Sequence, residues 1–448
     1  MLLNNSLRHR GLFGLNKKAR FTLKGLFFLS LFLYKTVLEL IYVYILSPTY
    51  SYMYLYTSIN VQKFFISLTL FLITAILLVK SRDCVSRNIV TTLYLFIFVP
   101  TISYYWLNDQ STLYTIFLAL SFIIVILFSR LKLSNTTRID SPFTDKKIIS
   151  FVFVGFALFM ALLIYMRGGI DARAFSFRNI YALREEENVV GFAGYLKNWM
   201  PKVLFPLLFG YFALKKKWAW LIVTVLFELL LYLSFGNKAF LLCIGWALIC
   251  LFSMKKGFFP IWITFLLTLI VLASGLLSFW NLSDSLRDAI PYRLLFVPSQ
   301  IQFQYYDYFS INEKMFYAEG WIGKLFGLTN KYGEDVAFMI HRINSPNGGV
   351  SHSNCCFLAD AYYNLGFFGM ILISCLSGFF FSLYNNFKRL PQALVLVSVS
   401  YIIFSFADTG FQTTLITGGM LMNFIMLYLL NYSYSNKIAQ PFRWSAAR

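Results

Sequence analysis

The sequence predicts an all-α polytopic integral membrane protein. Of its 448 residues 58% are hydrophobic and only 13% charged, too apolar a balance for a soluble domain of this length. Apolar runs long enough to cross a bilayer core of roughly 30 Å as helices recur along the whole chain, and about twelve can be counted. Lys and Arg cluster in alternate connections between those runs, the pattern that the positive-inside rule places in the cytoplasm.

The runs fall near 25–47, 62–79, 89–106, 112–129, 148–166, 196–214, 218–235, 239–254, 260–279, 358–384, 393–407 and 413–432. The first follows a basic head, residues 1–24, and has no small-residue cleavage site, so it reads as a retained span. The basic connections are KSRDCVSR at 80–87, residues 130–147, KKK at 215–217, KK at 255, KR at 388 and the tail 433–448. Both termini are then cytoplasmic, and an even number of spans closes the parity. The net charge of +20 is on this reading a topology signal with affinity for anionic lipid, and no basic-aromatic surface for nucleic acid is left over. Six scattered cysteines imply no disulfide framework, since the one outer pair, Cys355 and Cys356, is adjacent in sequence.

Two outer loops are too long to be plain connections. Residues 167–195 interrupt the spans of segment 25–279, and residues 280–357 separate that segment from the last spans, 358–432. The aromatic content of the second predicts an ordered lid with short helices. Arginines are enriched in both loops against the positive-inside rule: Arg167, Arg173, Arg178 and Arg184 in the first, Arg287, Arg293 and Arg342 in the second. A guanidinium binds phosphate through a planar fork, so these residues are candidates for holding an anionic lipid head group. The opposing reading pairs them with the acids of the same loops, among them Glu185, Asp284 and Asp288. Inside the spans, Lys35 and Glu39 are one helical turn apart and placed to neutralise each other, while Glu228 has no such partner.

No Walker sequence, strand-linked glycine fingerprint or metal-ligand spacing is present, which argues against ATP hydrolysis and against a soluble nucleotide-sugar donor. The stretch SHSNCCFLADAYYNLGFFG, 351–369, puts His352 at the outer mouth of a span, ahead of Asn354 as an N-cap and Asp360 in the first turns. Histidine is the side chain best suited to move a proton near neutral pH. Gly366 and Gly369 are expected to let a neighbouring span approach closely.

Three motifs resemble the bacterial O-antigen and oligosaccharide repeat-unit polymerases (Wzy), relatives of the O-antigen ligases. Arg178 is followed after fifteen residues by Gly194, which is similar to a signature of the first large periplasmic loop. SFGNKAFLL, 234–242, is similar to the turn that precedes a span and carries Lys238. The His352 stretch is similar to the histidine motif of the ligases, although Ser353 stands where those have a second histidine. The resemblance implies a GT-C-like fold in a bacterial inner membrane. It also implies an inverting, metal-independent glycosyltransferase without a cofactor, using undecaprenyl-pyrophosphate-linked oligosaccharides as donor and acceptor, with a chain-length regulator as a possible partner. On that reading His352 is the base with Asp360 in reserve, and Arg178, Arg293, Lys238, Arg173, Arg287 and Arg342 hold the pyrophosphate. A lipid-linked oligosaccharide flippase and an O-antigen ligase are the alternatives.

Overall fold

A computed structural model describes residues 17–132, 144–175, 191–255, 258–345 and 351–433, and it is nearly all helical. Eight helices are long and apolar enough to cross a membrane, and three shorter apolar ones are Thr112–Phe128, Lys238–Met254 and Gln392–Asp408. The bundle has a centre and a rim. Val85–Leu107 is 94% buried along its apolar window, whereas Val61–Lys80 and Asp145–Arg167 are 28% buried and turn apolar side chains such as Phe151 and Leu158 outward. An apolar exterior of this kind is stable against lipid and not against water.

Many polar groups inside the bundle find partners, as a low dielectric favours. The Tyr34 hydroxyl donates to the Leu95 carbonyl at 2.9 Å, and Ser67 donates to that of Ile102 at 2.9 Å. Lys35 pairs with Glu39, and that carboxylate also accepts from Ser103 and from the Trp106 indole at 2.9 and 2.8 Å.

Prolines explain where the helices deform. A proline has no N–H for the carbonyl four residues earlier, so the ladder is locally lost and the helix widens. Each π-helical stretch among the described residues adjoins or contains one: Tyr42–Leu46 before Pro48, Tyr94–Phe98 before Pro100, Met200–Leu204 with Pro201 and Pro206, and Asp288–Phe296 with Pro291 and Pro298.

The segment expected to be an ordered lid with short helices holds a long helix as well. Residues 285–311 form one continuous helix, built from Ser285–Arg287, Asp288–Phe296 and Val297–Ile311. Gln302 anchors it to the central helix by donating to Thr101 at 2.9 Å. Trp321–Phe326 and Val336–Asn344 are the short helices that follow.

The helix Phe357–Leu383 is broken at Gly366, where φ is 66° and ψ is −154°, a conformation open essentially to glycine alone. The expected close approach of a neighbouring span at Gly366 and Gly369 is not what these glycines serve. A Cβ at Gly366 would meet only Lys314 at 3.6 Å, and one at Gly369 would strike the Ala361 carbonyl of its own helix. The neighbouring span approaches instead at Gly378, where a Cβ would meet Phe128 and Val125.

Candidate functional site

The break at Gly366 builds the site. It takes the carbonyls of Tyr363 and Asn364 out of the helical ladder, and the preceding lid supplies their donors: Met315 N–H to Tyr363 at 3.0 Å and Phe316 N–H to Asn364 at 3.1 Å. The Asn364 side chain accepts from the Tyr317 N–H at 2.7 Å and donates to the Asp360 carbonyl at 2.9 Å. The lid is thus fixed to the first two turns of the helix that carries Asp360.

Asp360 is 6% exposed, and its Oδ2 has no protein partner. Its carboxylate lies against Gly410, so closely that a Cβ there would overlap it. Tyr317, whose hydroxyl is also buried without a protein partner, and Glu319 are its electrostatic neighbours from the lid. Gln412, two residues beyond Gly410, packs on Gly320 and has a buried Oε1 without a protein partner. Buried polar groups are costly unless they are satisfied, so a cluster of such atoms at a helix break is a place for a polar ligand.

Glu319 accepts from the Val336 N–H at 2.7 Å and from Asn330 at 3.0 Å. Burial, aided by the charge of Asp335, nevertheless pushes its carboxyl up to about 7. Burial also pushes the Lys314 ammonium, 3.8 Å from the centre of the Tyr362 ring, down to about 8.

A second group of charges adjoins the first across the helix junction at residues 409–410. Asp408 ends the helix Gln392–Asp408 and is exposed there. Lys202 acts electrostatically on Asp408 and on Cys243, and Glu228, with both oxygens buried and without protein partners, acts on Cys243 and Tyr401. Lys202 sits in the π-helical stretch Met200–Leu204, and Pro206 leaves its carbonyl without the usual helical donor.

The residues expected to act together are mostly kept apart. His352 is exposed on the lid flank, with Nδ1 3.3 Å from Asp335 and its ring beside Phe338. Arg342 lies on the same flank and is paired with Glu334. Arg173 forms a two-pronged pair with Asp171, at 3.1 Å to Oδ1 and 2.7 Å to Oδ2. Arg287 is buried, 2.8 Å from both Asp284 and Asp288, with its guanidinium over the Tyr50 ring. Two carboxylates already offset its charge, and Arg173, Arg287 and Arg342 are each paired with an acid of their own loop. Arg293 is exposed beside Tyr292, and Lys238 begins the helix Lys238–Lys255. Arg178 and Arg184 lie outside the described residues, while Gly194 falls in the helix Phe192–Trp199.

Residues missed in the sequence reading are Lys202, Glu319, Asp408 and His341. A lysine between two prolines inside an apolar run was the available sign for Lys202. His341, not His352, faces an interior: it lines a cavity of about 100 Å³ with Gln300, Gln304 and Asn344, and its Nδ1 is 3.3 Å from Ser353 Oγ. No protein-family model, curated protein or solved structure matches the chain.

Proposed function

We propose that the protein is an oligosaccharide repeat-unit polymerase, an inverting, metal-independent glycosyltransferase of the periplasmic face of a bacterial inner membrane. It would transfer a glycan from undecaprenyl pyrophosphate to a hydroxyl of a second lipid-linked repeat unit. The observation that carries the reading is the pairing of a lid-enclosed carboxylate, Asp360, with an adjoining charged group, Asp408 and Lys202, at the lid end of an apolar bundle. The reaction needs a base for the acceptor hydroxyl and a cation for the departing pyrophosphate. Asp360 is the better base than His352, because it is enclosed and has an oxygen without a protein partner. Lys202, aided by Lys238 and Arg293, takes the part first given to the arginines as a set.

The eight long helices, the three shorter ones and helix 192–214 fit twelve crossings of a GT-C-like fold with both termini in the cytoplasm. The 285–356 segment then lies outside as the lid.

The test is purified protein with synthetic undecaprenyl-pyrophosphate repeat units and no lipid A core acceptor. Chains longer than one unit are expected, with at least a hundredfold loss of rate in Asp360→Asn and about tenfold in Lys202→Ala. His352→Ala should keep most activity. Translocation of the lipid without elongation would make the protein a flippase, and activity only after addition of a core acceptor would make it a ligase.

A further inference from the structure

At the end of Phe357–Leu383 away from the lid, about 40 Å along that helix, lies a site that the proposed glycosyl transfer does not use. Connections 81–87, 129–132 and 385–388 meet there around a cavity of about 390 Å³. Among the described residues its wall carries Arg82, Arg87, Arg130, Lys132 and Lys388 against one carboxylate, Asp83.

The cavity is built rather than incidental. The Ser86 hydroxyl donates to the Ser129 carbonyl at 2.8 Å, and Asn385 accepts from the Ser86 N–H at 3.0 Å and donates to its hydroxyl at 2.9 Å, so the three connections are tied together. Arg130 is aimed by hydrogen bonds from Nε to Ser81 Oγ at 3.1 Å and from its terminal nitrogen to the Leu77 carbonyl. Arg87 is only 6% exposed, its Nε has no protein partner, and its ion pair with Asp83 is long at 3.9 Å. Setting membrane topology requires basic residues in water at a helix end; it does not require an arginine to be buried with a donor unspent.

We propose that this cavity binds the phosphodiester head group of an anionic phospholipid, with Arg87 and Arg130 as its floor and Lys132 at its rim. The adjoining surface selects a lipid over a soluble phosphate. Ile76, Leu127 and Phe128, exposed on the two helices that end at the cavity, continue from the rim as an apolar face for acyl chains. The volume is of the size that holds a small ligand, and arginine forks match phosphate oxygens.

Native mass spectrometry of the full-length protein in neutral detergent tests this, with dioleoyl phosphatidylglycerol and dioleoyl phosphatidylcholine titrated in parallel. The wild type should retain one phosphatidylglycerol in preference to phosphatidylcholine. Arg130→Gln should weaken that retention about tenfold and Lys132→Gln, at an exposed position, about threefold. Elution volume and lipid-free melting temperature report whether each variant is folded. Equal retention of both lipids, or unchanged retention in a folded Lys132→Gln protein, overturns the proposal. Inorganic phosphate binding at the same site more tightly than phosphatidylglycerol would also overturn it, in favour of a soluble anion.

Discussion

At the scale of single residues, what separates the lid acids is enclosure. Asp335 and Glu334 belong to the same lid as Glu319, yet they pair with His352 and Arg342 on the flank while Glu319 is folded inward. Glu319 ionises near 7 instead of the usual 4.5, with Asp335 and Asp360 as the like charges facing it and Asn330 and Val336 as donors. Because the folded value is raised, the folded chain holds this proton more firmly than the unfolded chain does. The contribution to stability is full below about 4.5 and is lost as pH rises through about 7. Glu319→Gln keeps an acceptor for both donors and removes the charge. Thermal melts should therefore show the variant gaining about 1–2 kcal/mol over the wild type at pH 8 and almost nothing at pH 4. Parallel pH profiles for the two proteins would show that Glu319 ionises normally. None of this was legible in the sequence, since Glu319 follows no motif and its burial depends on where Val336 and Asn330 bring the chain back.

At the scale of elements, the decisive feature is the broken helix at the lid. The apolar run 358–384 was legible as one span and Asp360 as an acid in its first turns, but periodicity does not reveal a reversal of φ within it. Glycine at 366 offered two readings, close packing or special backbone, and only the environment decides; the side-chain space there is nearly empty, so the backbone is the reason. The break in turn creates the two carbonyls that hold Met315 and Phe316, which makes the lid and the helix start one unit. Gly366→Ala forces a conformation that L residues avoid, at a cost of about 1–3 kcal/mol. The strain is expected to be relieved by straightening the helix and releasing the lid. Hydrogen exchange at the amides of Met315 and Phe316 should then quicken at least tenfold, while amides of the central helix Val85–Leu107 keep their protection. Unchanged exchange at those two amides would mean that the lid is held by its side chains alone. Lys202 likewise sits at a helix defect, beside Pro201 and Pro206.

At the scale of the whole molecule, two polar sites occupy opposite ends of one apolar bundle, and the orientation of the chain assigns each its compartment. Apolar runs and basic connections made the helices and their ends legible, because the bilayer constrains both length and charge. What the sequence could not convey is which loop arginines are spent on neighbouring acids, since Arg173, Arg287 and Arg342 look equivalent until the chain is folded. The same charge logic predicts orientation: the end that bears Arg82, Arg130 and Lys388 faces the cytoplasm, and the lid faces outward. Single cysteines at Asn354, exposed on the lid, and at Lys388, exposed at the other end, separate the two faces. The native cysteines are a modest background, for Cys243, Cys250, Cys355 and Cys356 are buried and only Cys84 and Cys375 are partly exposed. In spheroplasts a membrane-impermeant maleimide should label Asn354→Cys at once and Lys388→Cys only after permeabilisation. The reverse pattern would invert the bundle. It would put the lid and Asp360 in the cytoplasm, contrary to the proposed transfer at the periplasmic face, and would leave the arginine cavity facing the outer leaflet.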